Sequence, residues 1–165
     1  MNILYTAFNG KNNSSKILLD KINTTNKLYL KNSFSTSTMQ LEKELKLNTY
    51  DLIISFGQSI LPLDTIKIET TGKNKETYKT TYNYLSLKEK LKSNNYNVFI
   101  SEDAGNYLCN NIYFHGLKLI NKNNLKTKMI FIHIPKTKEI SSIDGLADIF
   151  NERSNWVFDL LFNKK

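Results

Sequence analysis

Short apolar runs alternate along the chain with segments whose apolar residues recur at helical spacing. The clearest run lies within residues 50–57, where Leu52, Ile53 and Ile54 are consecutive, as in a strand buried on both faces. The alternation of such runs with helical segments is typical of an α/β protein. Strands are predicted at 2–7, 27–30, 50–57, 66–70, 98–100 and 129–132, and helices after residue 14, over 39–47, 84–91 and 107–119, and near the C-terminus.

Polar residues predict where several of these elements begin or end. Ser14 or Ser15 is expected to cap the first helix, and the spacing Ser141-x-x-Asp144 resembles a capping box. Residues 35–38 are predicted to form a loop or cap, and 72–79 a solvated connection or mobile flap. Residues 66–70 alternate with a period of two, which predicts a half-exposed strand. The C-terminal helix is expected to place Trp156 against the body of the protein, together with Leu146, Ile149, Phe150, Val157, Leu160 and Leu161.

The composition is that of one globular domain, assigned to residues 1–165. No stretch approaches the roughly 20 continuous apolar residues of a membrane span, and the first residues do not resemble a signal peptide. The net charge of +8 comes from lysines spread thinly among asparagines, which argues against nucleic-acid binding. One cysteine excludes an intrachain disulfide and fits the reducing cytoplasm, the expected location.

The lone cysteine and one of the two histidines are candidates for catalysis. Cys109 falls near the first turn of the predicted helix 107–119, where the helix dipole favours a thiolate. If it is catalytic, Cys109 is expected to react with iodoacetamide at neutral pH faster than a free thiol with an unperturbed pKa of about 8.5. His133 follows the apolar run 129–132 and precedes Pro135. Taken alone, an inert buried cysteine and a structural histidine remain open; His115 and Asp103 are interpreted as a bystander and a helix cap.

Three segments together resemble the pyroglutamyl peptidases, also called pyrrolidone carboxyl peptidases. Asp103-Ala104-Gly105-x-Tyr107-Leu108-Cys109-Asn110 is similar to the nucleophile segment of this family, and Phe131-Ile132-His133-Ile134-Pro135 to its histidine segment. Residues 66–74, with Glu69 and Asn74, resemble the strand of the triad glutamate. Without the resemblance, Glu69 in an alternating strand indicates a solvent-facing carboxylate.

The resemblance implies a cytosolic cysteine peptidase that removes N-terminal pyroglutamyl residues from peptides. Its triad would be Cys109 as nucleophile, His133 as general base and acid, and Glu69 as the group that orients His133. The fold would be a three-layer α/β/α sandwich with a mixed, mostly parallel central sheet, of the phosphorylase/hydrolase-like kind. No cofactor is implied, and no spacing of His, Cys and Asp indicates a metal site. The resemblance leaves open whether the protein forms a homo-oligomer.

The chain departs from the family pattern where substrate recognition is expected. The family's first loop reads Phe-x-Pro-Phe-Gly-Gly; here Phe8 matches the first Phe, and the Pro and the second Phe are missing. The loop after Gly57 lacks the family's arginine, and the segment after Asn74 is shortened. The substrate pocket is therefore assigned to Phe8, Gln58, Ser59 and Ile60. The alternative is a divergent, weakly active or inactive relative that binds a small ligand or a protein partner.

Overall fold

A computed structural model describes residues 1–152, which form a six-stranded sheet, a small hairpin and five α-helices. The sheet consists of β1 (Ile3–Phe8), β2 (Lys27–Leu30), β3 (Leu52–Gln58), β4 (Thr65–Glu69), β7 (Asn97–Ser101) and β8 (Lys128–Ile134). The hairpin is β5 (Thr71–Lys73) and β6 (Thr77–Lys79). The helices are α1 (Ser14–Lys21), α2 (Phe34–Leu47), α3 (Leu85–Ser93), α4 (Leu108–Lys122) and α5 (Ile143–Asn151), with a 3₁₀ turn at Thr137–Glu139.

The sheet is mixed and mostly parallel, in the order β2-β1-β3-β8-β4-β7. Strand β4 runs antiparallel to β8, and every other neighbouring pair is parallel. Helices α1, α3 and α5 bury their apolar residues against one face, and α2 and α4 cover the other. The predicted three-layer α/β/α fold with a mostly parallel sheet is confirmed.

The core explains why the central strands read as continuous apolar runs. Leu52, Ile53, Ile54 and Phe56 of β3 are all fully buried, because successive side chains enter the two helical layers in turn. Strand β8 has the same surroundings, so the apolar run leads directly to His133 at the carboxyl end of the sheet.

Several helix starts differ from the predictions because the side chain that caps is not the expected one. Asn13, rather than Ser14 or Ser15, caps α1 by accepting a hydrogen bond from the Ser15 N–H. Ser142, rather than Ser141, caps α5 by accepting from the Gly145 N–H. Residues 35–38 are not a loop: Ser33 accepts from the Thr36 N–H, so α2 begins at Phe34.

Two polar segments are also more ordered and more buried than the pattern predicts. Strand β4 is not half exposed, since Ile66, Ile68 and Glu69 are each 0% exposed. Residues 72–79 form most of the β5–β6 hairpin instead of a flap, and the hairpin packs on α4. Gly72 allows this contact, because a Cβ there would lie 2.7 Å from the Phe114 Cα.

The predicted packing of the C-terminal residues falls outside the described part of the chain, whereas membrane spans and metal sites can be searched within it. The expected packing of Trp156, Val157, Leu160 and Leu161 lies beyond residue 152. Among the helices of residues 1–152, none has the length and apolar character needed to cross a membrane. The same residues contain no group of three His, Cys, Asp or Glu side chains arranged to hold a metal ion.

Candidate active site

Glu69 and His133 form a buried pair across the antiparallel strands β4 and β8. The His133 Nδ1 lies 2.7 Å from the Glu69 Oε1, and the two residues are 6% and 0% exposed. A carboxylate only accepts hydrogen bonds, so Nδ1 carries the proton and donates it. The other ring nitrogen, Nε2, is then free to act as a base. Glu69 is therefore not the solvent-facing carboxylate that its alternating strand indicated.

The register of the two strands creates this pair. Glu69 is opposite Phe131, and His133, two residues further along β8, is opposite Lys67. All four side chains lie on the sheet face covered by α4, because directly opposed residues share a face and the period along a strand is two. The acid–base pair thus results from strand pairing, with no loop involved.

Cys109 approaches the same face from the first turn of α4. A Cβ added at Gly57 would lie 2.8 Å from the Cys109 Sγ and 2.8 Å from the Phe131 ring. Gly57 is the register partner of His133 on β3, and the Phe131 and His133 rings are 5.0 Å apart. Cys109, His133 and Glu69 are thus brought to one region at the carboxyl ends of β3 and β8.

The electrostatics at Cys109 oppose the sequence-based expectation of a thiolate. Burial raises the pKa of the Cys109 thiol to about 12, and the negative charge of Glu69 adds to this effect. Within residues 1–152, no hydrogen bond joins the Sγ to the His133 ring. Desolvation and the nearby carboxylate therefore both favour a neutral thiol in the resting site.

The start of α4 provides a place for negative charge that develops during a reaction. Tyr107 is the N-cap residue, and its side chain makes no capping hydrogen bond. The first N–H groups of a helix lack intrahelical acceptors, and they favour anions. Cys109 lies in this first turn, so these groups are its neighbours in the chain.

The comparisons with known proteins agree with this geometry. A family model described as pyroglutamyl peptidase matches residues 63–146, about half of the chain, and that range includes Glu69, Cys109 and His133. The chain belongs to the pyroglutamyl peptidase family.

Curated relatives and solved structures of this family match as well. Pyrrolidone-carboxylate peptidase 1 of Caldanaerobacter subterraneus is 32% identical over 97 residues, which cover 59% of this chain and 46% of the relative. The pyrrolidone-carboxylate peptidase of Clostridium botulinum is 26% identical over 131 residues, covering 66% and 62%. The chain spans about half the length of the curated relatives it matches.

The structural matches extend over most of the chain. Pyroglutamyl peptidase I of Bacillus amyloliquefaciens superposes with a TM-score of 0.81 at 18% identity, covering 90% of this chain and 92% of that one. The pyrrolidone carboxyl peptidase of Fervidobacterium islandicum gives a TM-score of 0.74 at 20% identity, covering 92% and 95%. At these identities the likeness establishes the fold.

The residues assigned to the substrate pocket of this family member lie in three different environments. Phe8 is 4% exposed and packs in the core between the sheet and α2 and α4, so its ring presents little surface to a ligand. The Gln58 Oε1 accepts a hydrogen bond from the Ser14 N–H, and the Ser59 N–H donates to the Ile134 carbonyl. Ile60 is 89% exposed. Their role in substrate binding stays a prediction.

An exposed aromatic pair joins the starts of α2 and α4, and the sequence pattern does not predict it. The rings of Phe34 and Tyr107 meet edge to face with centroids 5.3 Å apart, and they are 47% and 65% exposed. They line a cleft of about 360 Å³ together with Lys73, Asn74, Asn106, Asn110, Asn111 and Phe114. Tyr107 could have been found from its place in the nucleophile segment, whereas no local signal marks Phe34.

Proposed function

We propose that this chain is a cysteine peptidase that removes an N-terminal pyroglutamyl residue from peptides. The observation that carries the proposal is the buried Glu69–His133 hydrogen bond of 2.7 Å on the sheet face that Cys109 approaches. A nucleophile, a base and a group that orients the base are the parts needed for acyl transfer. Family membership supports the choice of substrate.

The reaction would begin with a proton transfer, because the resting thiol is neutral. His133 Nε2 takes the proton from the Cys109 Sγ as the sulfur attacks the carbonyl carbon that joins the pyroglutamyl ring to the next residue. Glu69 keeps the proton on Nδ1 and stabilises the imidazolium. The N–H groups at the start of α4 receive the carbonyl oxygen as it becomes an oxyanion.

The tetrahedral intermediate then collapses, and the C–N bond breaks. His133 returns the proton to the leaving amine, which departs as the shortened peptide, and the pyroglutamyl group remains on Cys109 as a thioester. His133 then takes a proton from water as the water oxygen attacks the thioester carbonyl. The C–S bond breaks and His133 returns that proton to the sulfur, which releases pyroglutamate and the free thiol. No cofactor or metal takes part in these steps.

The test is hydrolysis of a fluorogenic pyroglutamyl amide under reducing conditions. A proline amide, which lacks the ring carbonyl, is the control substrate, and Cys109→Ser is the control variant. Turnover of the pyroglutamyl compound alone, lost in Cys109→Ser with a melting temperature within a few degrees of the wild type, is the expected result. Equal turnover by Cys109→Ser would contradict the proposal.

A second candidate function is binding of a small ligand or partner without turnover. It is favoured by the high pKa of the Cys109 thiol and by the burial of Phe8, which leaves that ring little surface for the predicted substrate pocket. Calorimetric binding of a pyroglutamyl amide without hydrolysis would assign this function.

The location and partners follow from the proposed chemistry. A catalytic thiol stays reduced in the cytoplasm, which is where we place the protein. Its partners would be peptides with an N-terminal pyroglutamate, with no role for membranes or nucleic acid, and a homo-oligomer stays open.

A further inference from the structure

Lys67 is a second cation on the carboxylate that orients His133. Its Nζ lies 3.5 Å from the Glu69 Oε1, the same oxygen that accepts the hydrogen bond from His133 Nδ1. The other oxygen, Oε2, is buried and has no hydrogen-bond partner within the described part of the chain. Both Lys67 and His133 therefore contact the Glu69 carboxylate through the same oxygen, Oε1.

The strand register places Lys67 there. Lys67 is directly opposite His133 on β8, and it lies two residues before Glu69 on β4, so the three side chains share a face. The Lys67 side chain is 31% exposed while Glu69 is fully buried. The ammonium thus reaches a buried carboxylate while keeping part of its own hydration.

Few other titratable groups face this pair. From α4, Cys109 and Tyr113 lie close enough for the charge of Glu69 to act on them, and the Tyr113 hydroxyl donates to the Glu69 backbone carbonyl. Strand β3 presents Gly57 beside His133. Among residues 1–152, Lys67 and His133 alone form ion pairs with Glu69.

The two cations differ in when they are charged. A carboxylate without exposure to water requires a positive partner, since an uncompensated buried charge is strongly destabilising. His133 provides one only while it is protonated, and in that state it cannot accept the proton of Cys109. An ordinary lysine ammonium keeps its charge at the pH at which an imidazole loses its own.

We infer that Lys67 is a positioning residue whose permanent charge lets Glu69 stay ionised while His133 is neutral and able to act as a base. The inference rests on the proposed function for its catalytic meaning, but not for its electrostatics. If the ammonium is removed, the buried carboxylate can be compensated only by a proton on His133. His133 then stays protonated, and cannot act as a base, at pH values where it is neutral in the wild type.

The test compares Lys67→Met, which keeps the stem and removes the charge, with Lys67→Arg, which keeps the charge. The acid limb of the kcat/KM profile of Lys67→Met is expected to move to higher pH by about one unit, the size of effect a neighbouring charge has. At pH values below this limb, kcat/KM of Lys67→Met should be about tenfold lower than that of the wild type, and at higher pH the two should agree. Lys67→Arg should stay close to the wild type at all pH values. Lys128→Met, at the opposite end of β8, controls for the loss of one positive charge and should leave the profile unchanged.

A second readout does not depend on hydrolysis. The NMR signals of the His133 ring report its protonated fraction at a fixed pH, which should be larger in Lys67→Met than in the wild type, Lys67→Arg or Lys128→Met. Should the chain not hydrolyse the pyroglutamyl amide, this comparison still tests the inference while the proposed function fails separately. An unchanged protonated fraction in Lys67→Met, or a loss of activity that is equal at all pH values, would overturn it.

Discussion

The acid–base half of the candidate site and its nucleophile half are held in place by different means. Glu69 and His133 lie on hydrogen-bonded neighbouring strands, are buried, and contact each other directly. Cys109 lies in the first turn of a helix that follows exposed residues of the 102–107 loop, and it has no hydrogen bond to His133 within the described residues. The sheet therefore preorganises the base, whereas the position of the thiol depends on how α4 docks.

The difference extends to charge. The Glu69–His133–Lys67 cluster concentrates charges and compensates them locally. The Cys109 thiol is instead kept neutral by its surroundings, with Glu69 contributing to that effect. The same carboxylate thus orients the base and disfavours the free thiolate, so proton transfer and attack on the carbonyl should be coupled.

The largest effect is expected from Glu69→Gln, which breaks the acid–base half. The amide is close in size to the carboxylate but can present its NH₂ group to Nδ1, which would favour the wrong imidazole tautomer. Loss of the orienting carboxylate lowers kcat about 10⁴-fold in a Ser-His-Asp triad, and we expect a loss approaching that size here. Steady-state hydrolysis of the pyroglutamyl amide measures it.

The same substitution should leave the fold intact. Removing one partner of a buried ion pair is destabilising when it leaves a buried charge behind, but here His133 can be neutral and the Lys67 side chain is 31% exposed, so the melting temperature should fall little. Glu102→Gln, which removes an exposed carboxylate paired with Lys79, is the matched control and should change neither quantity. Wild-type kcat in Glu69→Gln would remove Glu69 from the triad.

The next effect concerns the contact between the two halves, which requires a glycine at position 57. In Gly57→Ala the new methyl group would lie 2.8 Å from both the Cys109 Sγ and the Phe131 ring, so one of them has to move. Overpacking costs about 1–3 kcal/mol of stability. A displacement of the nucleophile by about 1 Å can cost about 10²-fold in rate.

The control for this variant is Gly116→Ala, in the middle of α4, where a Cβ would overlap the Met129 side chain. It also overpacks α4 against the sheet, but the end of the Met129 side chain can shift and alanine favours the helix, so it should lower stability less than Gly57→Ala, with little change in kcat for the folded protein. Chemical denaturation and kcat measured on both variants separate the two effects. Equal kcat losses would show that the glycine matters for folding alone.

The sequence identifies the residues of the site better than it predicts their surroundings. Cys109 and His133 follow from their segments, because a helix start after an apolar run and a strand end are local features. The burial of Glu69 could not be predicted, since the alternation within β4 does not reveal that α4, whose Tyr113 hydroxyl donates to the Glu69 carbonyl, lies over its polar face. The contribution of Lys67 depends on the antiparallel pairing with β8, which no local pattern encodes.

The direction of the pKa shift at Cys109 differs from the sequence-based prediction for a related reason. The helix dipole at Cys109 is readable from the sequence, whereas desolvation depends on what packs around the Sγ, and the charge of Glu69 comes from a strand forty residues away in the chain. The fold class was predictable because alternation of strands and helices is a global pattern. The start of α2 was not, because Ser33 rather than the following polar residues provides the cap.

A smaller effect distinguishes the two halves by reactivity. With the pKa of Cys109 at about 12, its thiolate fraction near pH 7.5 is far below that of a free cysteine. Higher intrinsic nucleophilicity offsets part of this, so alkylation by iodoacetamide should be about tenfold or more slower than in the urea-unfolded chain. Mass spectrometry over time gives both rates, and the folded rate should rise with pH up to about 12.

Glu69→Gln should speed this alkylation, because the charge of Glu69 helps to raise the Cys109 pKa. The raised pKa of Cys109 also determines how stability depends on pH. The folded state keeps the thiol proton above the pH at which the unfolded thiol ionises, so the free energy of unfolding should fall as the pH rises from about 9 towards 12. Faster alkylation in the folded than in the unfolded protein would restore the thiolate expected from the helix dipole.

The smallest effect concerns Asn110, which ties the nucleophile helix to the hairpin. Its Oδ1 accepts from the Lys73 N–H at 2.9 Å, and its Nδ2 donates to the Lys73 carbonyl at 2.6 Å. Asn110→Ala removes both bonds at a partly exposed site, so we expect a loss of about 1–2 kcal/mol in stability and a few-fold loss in kcat/KM. Asn121→Ala, on the exposed side of the same helix, measures the gain in helix propensity that any Asn→Ala change brings. If α4 docking alone positions Cys109, the kcat/KM of Asn110→Ala should fall while the NMR signals of His133 stay unchanged; a shift of those signals would mean that the two halves are coupled through the hairpin.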